Sequence, residues 1–366
     1  MNILQQHIIK KLEGREKENA LRETISLQQG IDFVTNDYLG FARKEIDVPK
    51  MKAGSGASRL LGGSTKEIQE LEKELAAFYG KESALIFSSG YAANVGLFSC
   101  LLGRNDTYIY DEYIHASMRD GIRLSLAKSY SFKHNDTSDL HDKLMRSKGK
   151  KIVVTESLFS MDGDFAPLKK MSEVCKTNGA ALLVDEAHAA GIFGKQGRGY
   201  SNEMNLDGGI DAKIITFGKA LGCHGAAILG TKELIHYLVN FSRAFIYTTA
   251  PSPVMVWHIA HAHEMIKHAN EERKKLQENI DYFLNRAKEL KLQNIPAHRS
   301  PVQIAVFPGN ENARTVALKL REKGFEIRAV LSPTVPQGME RLRICLHAFN
   351  TKEEISSLLN ELRYYA

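Results

Sequence analysis

The sequence predicts an α/β protein: a mostly parallel central sheet covered by helices, followed by a smaller α+β C-terminal domain. Three observations carry this. Between residues 83 and 217 short apolar runs recur, SALIFSS, TYIYD, KIVVTES, ALLVDEA and AKIITFG, and helical stretches lie between them. None of these runs alternates cleanly between apolar and polar residues, so each is expected to be buried on both faces, as parallel strands under helices are. Beyond the prolines of APSPV the pattern changes to one long helical stretch and then a short set of strands and helices.

The elements follow in order. MNILQQHIIKKLEGREKENALRE sets apolar and charged residues at helical spacing and predicts an amphipathic helix. IDFVT reads as a short strand and NDYLG as the turn after it. Gly54 to Thr65, GSGASRLLGGST, is dense in glycine and predicts a loop, after which Ser64 or Thr65 caps the helix KEIQELEKELAAFYG, stopped by Gly80. Helices are expected from Ala92 to Leu102, near Ala116 to Leu126 and near Leu168 to Thr177. Beyond Thr249 a long helix is expected from about Val254 to Leu290. The strands PVQIAVF, FEIRAV and RLRICL follow, with a helix near Ala313 to Lys323 and a last one from Lys352 to Leu362. The expected domains are an N-terminal segment of residues 1–50, a large domain of residues 51–249, and a small domain of residues 250–366 that begins with the long helix.

Composition narrows the function classes. The 366 residues, 43% hydrophobic and 25% charged, describe an ordinary globular chain long enough for two or three lobes and a cleft. Its 49 basic and 43 acidic residues are interleaved, and clusters such as Lys148 to Lys151 are short, which argues against a nucleic-acid partner. The net charge of +6 favours anionic small molecules. Cys100, Cys175, Cys223 and Cys345 are scattered, without disulfide or metal spacing, and no apolar run approaches the ~20 residues that span a bilayer. A cytoplasmic protein with no membrane association is expected.

The four letters DEAH, Asp185 to His188, occur in nucleic-acid ATPases beside a bound nucleotide. That chemistry needs a G-x-x-x-x-G-K-[ST] loop to cradle phosphates, and the chain has none: its Gly-Lys pairs at 80, 149, 194 and 218 lack both the first glycine and the following Ser or Thr. Zinc fares no better. In HIAHAHEMIKH, His263 and His268 stand five apart, about 140° around a helix, where a zincin needs both imidazoles on one face. These histidines are expected at a surface or interface, and no metal is expected.

Four strand ends present polar or reactive groups: Ser89-Gly90-Tyr91 after SALIF, His115 after TYIYDEYI, Asp185 with His188 after ALLV, and Thr216 with Lys219 after AKII. Each alone has an ordinary structural explanation. Together they match what pyridoxal 5'-phosphate requires: a lysine to bond its aldehyde, a carboxylate to keep its ring nitrogen protonated, and a helix N-terminus for its phosphate. Ala187, Ala189 and Ala190 would let the ring approach Asp185 closely.

On these residues the chain resembles the α-oxoamine synthases, fold-type I pyridoxal-phosphate enzymes that join an amino acid to an acyl thioester with loss of carbon dioxide. The similar segments run through most of the sequence: NDYLG, GSGASR, SSGYAAN, DEYIHAS, HND, ESLFSMDGD, VDEAHAAGIFG, TFGKALGCHGAA and SPTVPQGMERLRI. The resemblance implies that Lys219 bonds the cofactor and serves as the Cα base. It pairs Asp185 with the ring nitrogen and stacks His115 on the ring, with Ser160 and His188 at the phenolic oxygen. Ser89, Gly90, Tyr91 and Thr216 would hold the phosphate, joined by Thr249 across a homodimer interface where the active site is shared. Arg343 would clamp the amino-acid carboxylate, a bidentate task suited to guanidinium, with Asn36, Arg22 and Thr334 near the substrates.

Within the family, TFGKALGCHGAAILG, ESLFSMDGD and IYTTAPSP are most similar to members that condense L-alanine with a pimeloyl thioester of coenzyme A or acyl carrier protein in biotin synthesis. Members using glycine or serine with other acyl groups are the alternative. Leu331 stands where some members carry an arginine before PTVP, and the segment between Arg22 and Asn36 is shorter than the hairpin common in the family.

Overall fold

The computed structural model describes residues 2–22, 24, 26 and 30–366, so much of the short segment after Arg22 lies outside the described residues. Among the described residues twelve strands form: β1 (Ile31–Asp32), β2 (Ser83–Phe87), β3 (Thr107–Asp111), β4 (Lys128–Phe132), β5 (Lys151–Glu156), β6 (Ala180–Asp185), β7 (Ala212–Thr216), β8 (Ala226–Gly230), β9 (Val302–Val306), β10 (Phe325–Glu326), β11 (Arg328–Val330) and β12 (Arg341–Cys345). They fall into two compact units. One comprises Leu39–Ser160 and Phe165–Arg273; the other comprises the residues through Tyr38, Met161–Asp164 and Lys274–Ala366.

The first unit is built on a seven-stranded sheet in the order β2-β8-β7-β6-β5-β3-β4. Only β8 runs antiparallel to its neighbours. Successive side chains point to opposite faces, and both faces are apolar. Val154 and Leu183 pack with Leu97, Phe98, Met118 and Ile214 on one side. Val153, Leu182 and Val184 pack with Phe132, Leu140, Leu168 and Met171 on the other. The mostly parallel, helix-covered sheet is thus as the sequence predicts.

Two strands are absent from the sequence reading. In β4, KSYSF, only Phe132 is buried, because the strand lies at the sheet edge. β8, AAILG, is buried throughout but follows the glycine-rich turn after Lys219. The helix expected from 254 to 290 is two, Pro253–His268 and Asn270–Glu289. Arg273 helps the chain tolerate the break at Ala269, since its Nη1 donates at 2.8 Å to the Ile266 carbonyl, which otherwise accepts the Ala269 N–H at 3.4 Å.

In the second unit, β11-β12-β9 form an antiparallel sheet and β1 pairs in parallel with β10. Helices Asn310–Glu322 and Lys352–Leu362 contribute buried apolar faces. Arg341, 1% exposed, forms an ion pair with Asp162 and so ties the short Met161–Asp164 segment into this unit. The helix Ile3–Lys17 forms under an Asn2–Gln5 capping box, with none of its side chains buried. Among the described residues no helix is long and apolar enough to cross a membrane.

The surface assignment of the histidine-rich helix is corrected at one position. His263 is 1% exposed, lies edge-on to Phe78 with centroids 4.7 Å apart, and neither ring nitrogen has a hydrogen-bond partner. Its spacing from Ile259 and Ile266, both fully buried, puts it on the core-facing side of the helix. Burial without a partner disfavours the imidazolium, with Lys267 acting in the same direction, and pushes the ring down to about 4. Between about pH 6.5 and that value the unfolded chain takes up a proton that the folded chain refuses, so stability falls as pH falls. We expect a loss of roughly 1–3 kcal/mol from this group between neutral pH and about pH 4. Urea unfolding across that range should show a shallower slope in His263→Phe.

Candidate active site

Strands β3, β5, β6 and β7 run parallel and end at Asp111, Glu156, Asp185 and Thr216. In such sheets ligands bind beyond these ends. Alternation puts Glu156 and Asp185 on the face of Val154 and Leu183, which the helices Gly90–Phe98 and Ala116–Leu124 cover. Asp185 is 6% exposed, and its charge is held by two donors. Asn94 Nδ2 donates to Oδ2 at 2.8 Å and the Ala187 N–H to Oδ1 at 2.8 Å. The neighbouring Glu186 is structural: fully buried, it accepts from Ser157 Oγ and from the backbone N–H groups of Tyr200 and Ser201 at 2.8–2.9 Å.

His115 caps the helix Ala116–Leu124. Its Nδ1 accepts from the Ser117 N–H at 3.2 Å and meets Ser117 Oγ at 2.7 Å, while Asn94 Nδ2 reaches the same Oγ at 3.0 Å. The residue's open surface leaves a ring face accessible, but the protein around its nitrogens desolvates them and holds its pKa below the ordinary histidine range. The Asp185 charge opposes that shift and the Lys219 charge adds to it. Glu156, 3% exposed, accepts the His115 N–H at 2.7 Å. Burial first, then the Asp185 charge, push its carboxyl up to about 8, against the pull of Lys219. Lys219 and Asp185 therefore both act electrostatically on His115 and Glu156.

An anion cradle borders this pocket. Ser89 caps the helix Gly90–Phe98, its Oγ accepting from the Ala92 N–H at 3.1 Å, so that Gly90 and Tyr91 supply the first N–H groups of a helix. A Cβ built on Gly90 would lie 3.7 Å from Thr216 Oγ1, which places that hydroxyl beside the helix start. Thr216 donates to the Gly225 carbonyl at 3.2 Å and would exchange that partner to bind an anion. The Tyr91 hydroxyl donates to Asp120 at 2.5 Å, leaving its backbone as the available group. Lys219 is half-buried in the turn closed by Gly222 N–H to the Lys219 carbonyl. Gly222 has φ +66°, and a Cβ there would meet the Ala42 nitrogen at 2.3 Å, so that turn requires glycine. His188 is buried, Ser160 half-buried and Thr249 exposed. The turn of Thr249 is fastened to the glycine-rich loop by Ala250 N–H to the Ala57 carbonyl and Ser55 Oγ to the Ala250 carbonyl.

In the other unit the expected substrate residues come together as two pairs. Arg343 Nη2 donates to Asn36 Oδ1 at 2.9 Å, and its Nη1 lies 2.9 Å from Cys345 Sγ. Arg22 Nη2 donates to Thr334 Oγ1 at 3.2 Å, and both line a cavity of about 820 Å³ whose wall also includes Leu331, Arg314 and Arg328.

The donor set of the first unit fits pyridoxal phosphate: an amine, a buried carboxyl group with two hydrogen-bond donors, an imidazole on an exposed residue, and a helix start beside a hydroxyl. Among the described residues no His, Cys, Asp and Glu group suits a metal ion. Sequence reasoning overlooked Asn94, Ser117 and Glu156. Asn94 did carry a signal, as a polar residue in the otherwise apolar stretch AANVGLF.

The chain matches the model of the aminotransferase class I and II family over residues 28–362. It is 39% identical over 339 residues to an 8-amino-7-oxononanoate synthase of Cellvibrio japonicus, covering 90% of this chain and 85% of that one. It is also 39% identical over 344 residues to the enzyme of that name from Saccharophagus degradans, covering 91% and 86%. Among solved structures, a serine palmitoyltransferase from S. paucimobilis holding PLP and myriocin superposes with a TM-score of 0.90 at 27% identity, covering 100% of this chain and 98% of that one. An 8-amino-7-oxononanoate synthase from Francisella tularensis gives 0.78 at 30% identity, covering 92% and 97%.

Removing the Asn94 amide takes one charge-assisted bond from Asp185. Asn94→Ala should weaken binding of pyridoxal phosphate by roughly tenfold, as a lost bond to a charged group predicts. Absorbance titration of the cofactor measures this, and an unchanged affinity would show that Asn94 does not support Asp185.

Proposed function

Because the chain belongs to the aminotransferase class I and II family, we propose that it is a pyridoxal-phosphate-dependent C-acyltransferase. It condenses L-alanine with a pimeloyl thioester, giving 8-amino-7-oxononanoate, carbon dioxide and the free thiol carrier, in cytoplasmic biotin biosynthesis. The observation that carries this reading is the buried Asp185, held by Asn94 and Ala187 and joined through Asn94 and Ser117 to His115, in a chain whose curated relatives bear that enzyme name.

When bound, the cofactor supplies an electron sink for negative charge developing at the amino acid's Cα. Asp185 keeps the ring nitrogen protonated, which makes that sink effective. Lys219 would hold the cofactor through its ε-amine and, once the incoming amino acid has taken its place there, would accept the Cα proton on that freed amine. His115 covers one ring face, and His188 and Ser160 hydrogen-bond the phenolic oxygen. Gly90 and Tyr91 N–H groups, with Ser89 and Thr216, hold the phosphate, and Thr249 of the partner subunit reaches it in a homodimer. Arg343 takes the alanine carboxylate on its planar fork, fixed from behind by Asn36.

The acyl chain lies in the cavity lined by Arg22 and Thr334. Leu331 offers no charge there, but Arg314 and Arg328 line the same cavity and supply guanidinium groups for a distal carboxylate. The higher TM-score of the serine palmitoyltransferase favours a second reading, serine or glycine with a long-chain thioester. A TM-score reports backbone shape, which many members of a fold share, whereas the side chains that select substrates follow sequence identity. The alanine reading therefore stands first.

Purified protein should be yellow, its absorbance altered by borohydride in wild type and lost in Lys219→Ala. A colourless wild type that binds no pyridoxal phosphate refutes the enzyme reading. Thiol release should be robust with alanine and pimeloyl thioester, with a product mass matching the expected ketone. Turnover of glycine or serine with acetyl or long-chain thioesters, and none with alanine plus pimeloyl, rejects the assignment. Arg22→Ala should raise KM for the thioester by about tenfold, the worth of one charged hydrogen bond, with little change in KM for alanine.

A further inference from the structure

Glu156 has no part in the chemistry above, yet it sits at the centre of the site. β5 and β6 are parallel neighbours with Glu156 in register with Asp185, so the two carboxyl groups leave adjacent strands on the same face. Both are buried, at 3% and 6% exposure. Two carboxyl groups so placed and so buried resist ionising together, and one retains a proton.

The donors decide which one. Asp185 receives two hydrogen bonds, from Asn94 Nδ2 and the Ala187 N–H, both at 2.8 Å. Among the described residues the Glu156 carboxyl receives one, from the His115 N–H at 2.7 Å. The better-solvated anion is therefore Asp185. The charged groups acting on Glu156 from the elements around it are Asp185 on β6, Lys219 after β7 and Asp111 at the end of β3. Asp111 is itself occupied by His134 Nδ1 and by the Tyr113 and Asn135 N–H groups. Two of the three charges are negative and oppose a Glu156 anion, and only Lys219 favours it.

We infer that Glu156 is a positioning residue of the cofactor site: it and Asp185 form a buried carboxyl pair carrying one negative charge, with the proton on Glu156. Asp185 is then the single anion presented to the ring nitrogen, while a Glu156 oxygen fixes the backbone of His115 and with it the stacking imidazole. At alkaline pH Glu156 gives up its proton, a second negative charge appears beside Asp185, and the environment of the cofactor changes. Burial and the Asp185 charge, which push the Glu156 carboxyl up to about 8, act in the direction this order of events requires.

The inference rests on the proposed pyridoxal-phosphate site, so the test has one arm that needs no cofactor signal. In holoenzyme labelled with 13C at glutamate carboxyls, infrared spectra at about pH 6 should show a protonated glutamic acid that disappears by about pH 9. Ordinary glutamates are ionised throughout this range. The band should be absent in Glu156→Gln. In the second arm, the cofactor absorbance of wild type should show an inflection near pH 8 that Glu156→Gln lacks. At about pH 6 the variant, whose amide mimics the neutral acid, should match wild type in spectrum and bind the cofactor within about twofold. No protonated glutamic acid in wild type at about pH 6 overturns the inference, even if the variant fails to fold. So does a folded variant that keeps the inflection, or one whose cofactor affinity falls by about tenfold or more at that pH. A wild type that binds no cofactor yet shows the infrared band refutes the functional reading and leaves the carboxyl pair in place.

Discussion

The site is organised by one buried negative charge. Asp185 terminates an interior strand where water cannot solvate it, and a buried carboxylate persists as an anion only if fixed donors replace that water. The two donors come from different elements, the helix Gly90–Phe98 through Asn94 and the turn after β6 through Ala187. Holding Asn94 against Asp185 fixes the helix, and fixing the helix sets its Ser89-capped start beside Thr216. Through Ser117 the same Asn94 amide reaches the His115 imidazole. Asp185, Asn94, Ser117 and His115 thus form one hydrogen-bonded network carried by two helices and the end of β6.

A similar logic arranges the second unit. Along β12 alternate residues share a face, which puts Arg341, Arg343 and Cys345 on one side and Leu342 and Ile344 in the apolar core on the other. Arg341 is buried and satisfied by Asp162, the Met161 carbonyl and the Met339 carbonyl, a structural use of guanidinium. Two residues on, Arg343 is held by Asn36 and approached by Cys345. The chemistry of the two arginines is identical. Their different burial, and the partners each strand position meets, give one a structural role and leave the other half-exposed.

Legibility in the sequence followed the strength of local pattern. β5 and β6 were readable because strands buried on both faces are continuous apolar runs, and the helix Leu168–Thr177 formed at its expected bounds. The edge strand β4 was not readable, since KSYSF is polar wherever solvent reaches it, and β8 is hidden behind glycines that serve the turn. The long C-terminal helix was read without its break because no Pro or Gly marks Ala269. A side chain seven residues on strengthens the hydrogen bonding of the Ile266 carbonyl there instead.

Sequence alone determined the α/β class and most of its strands and helices in order, and it singled out Lys219, Asp185, His115 and His188 as candidates, because strand periodicity and motif chemistry are local properties. It could not determine that Asn94 and Glu156 belong with Asp185. Those residues lie ninety-one and twenty-nine positions away, and only the pairing of β5 with β6 and the packing of a helix across them make them neighbours. Nor could it separate a buried His263 from an exposed His261 on the same helix. Solvation and charge depend on what surrounds a group in space, and that was decided by the tertiary structure.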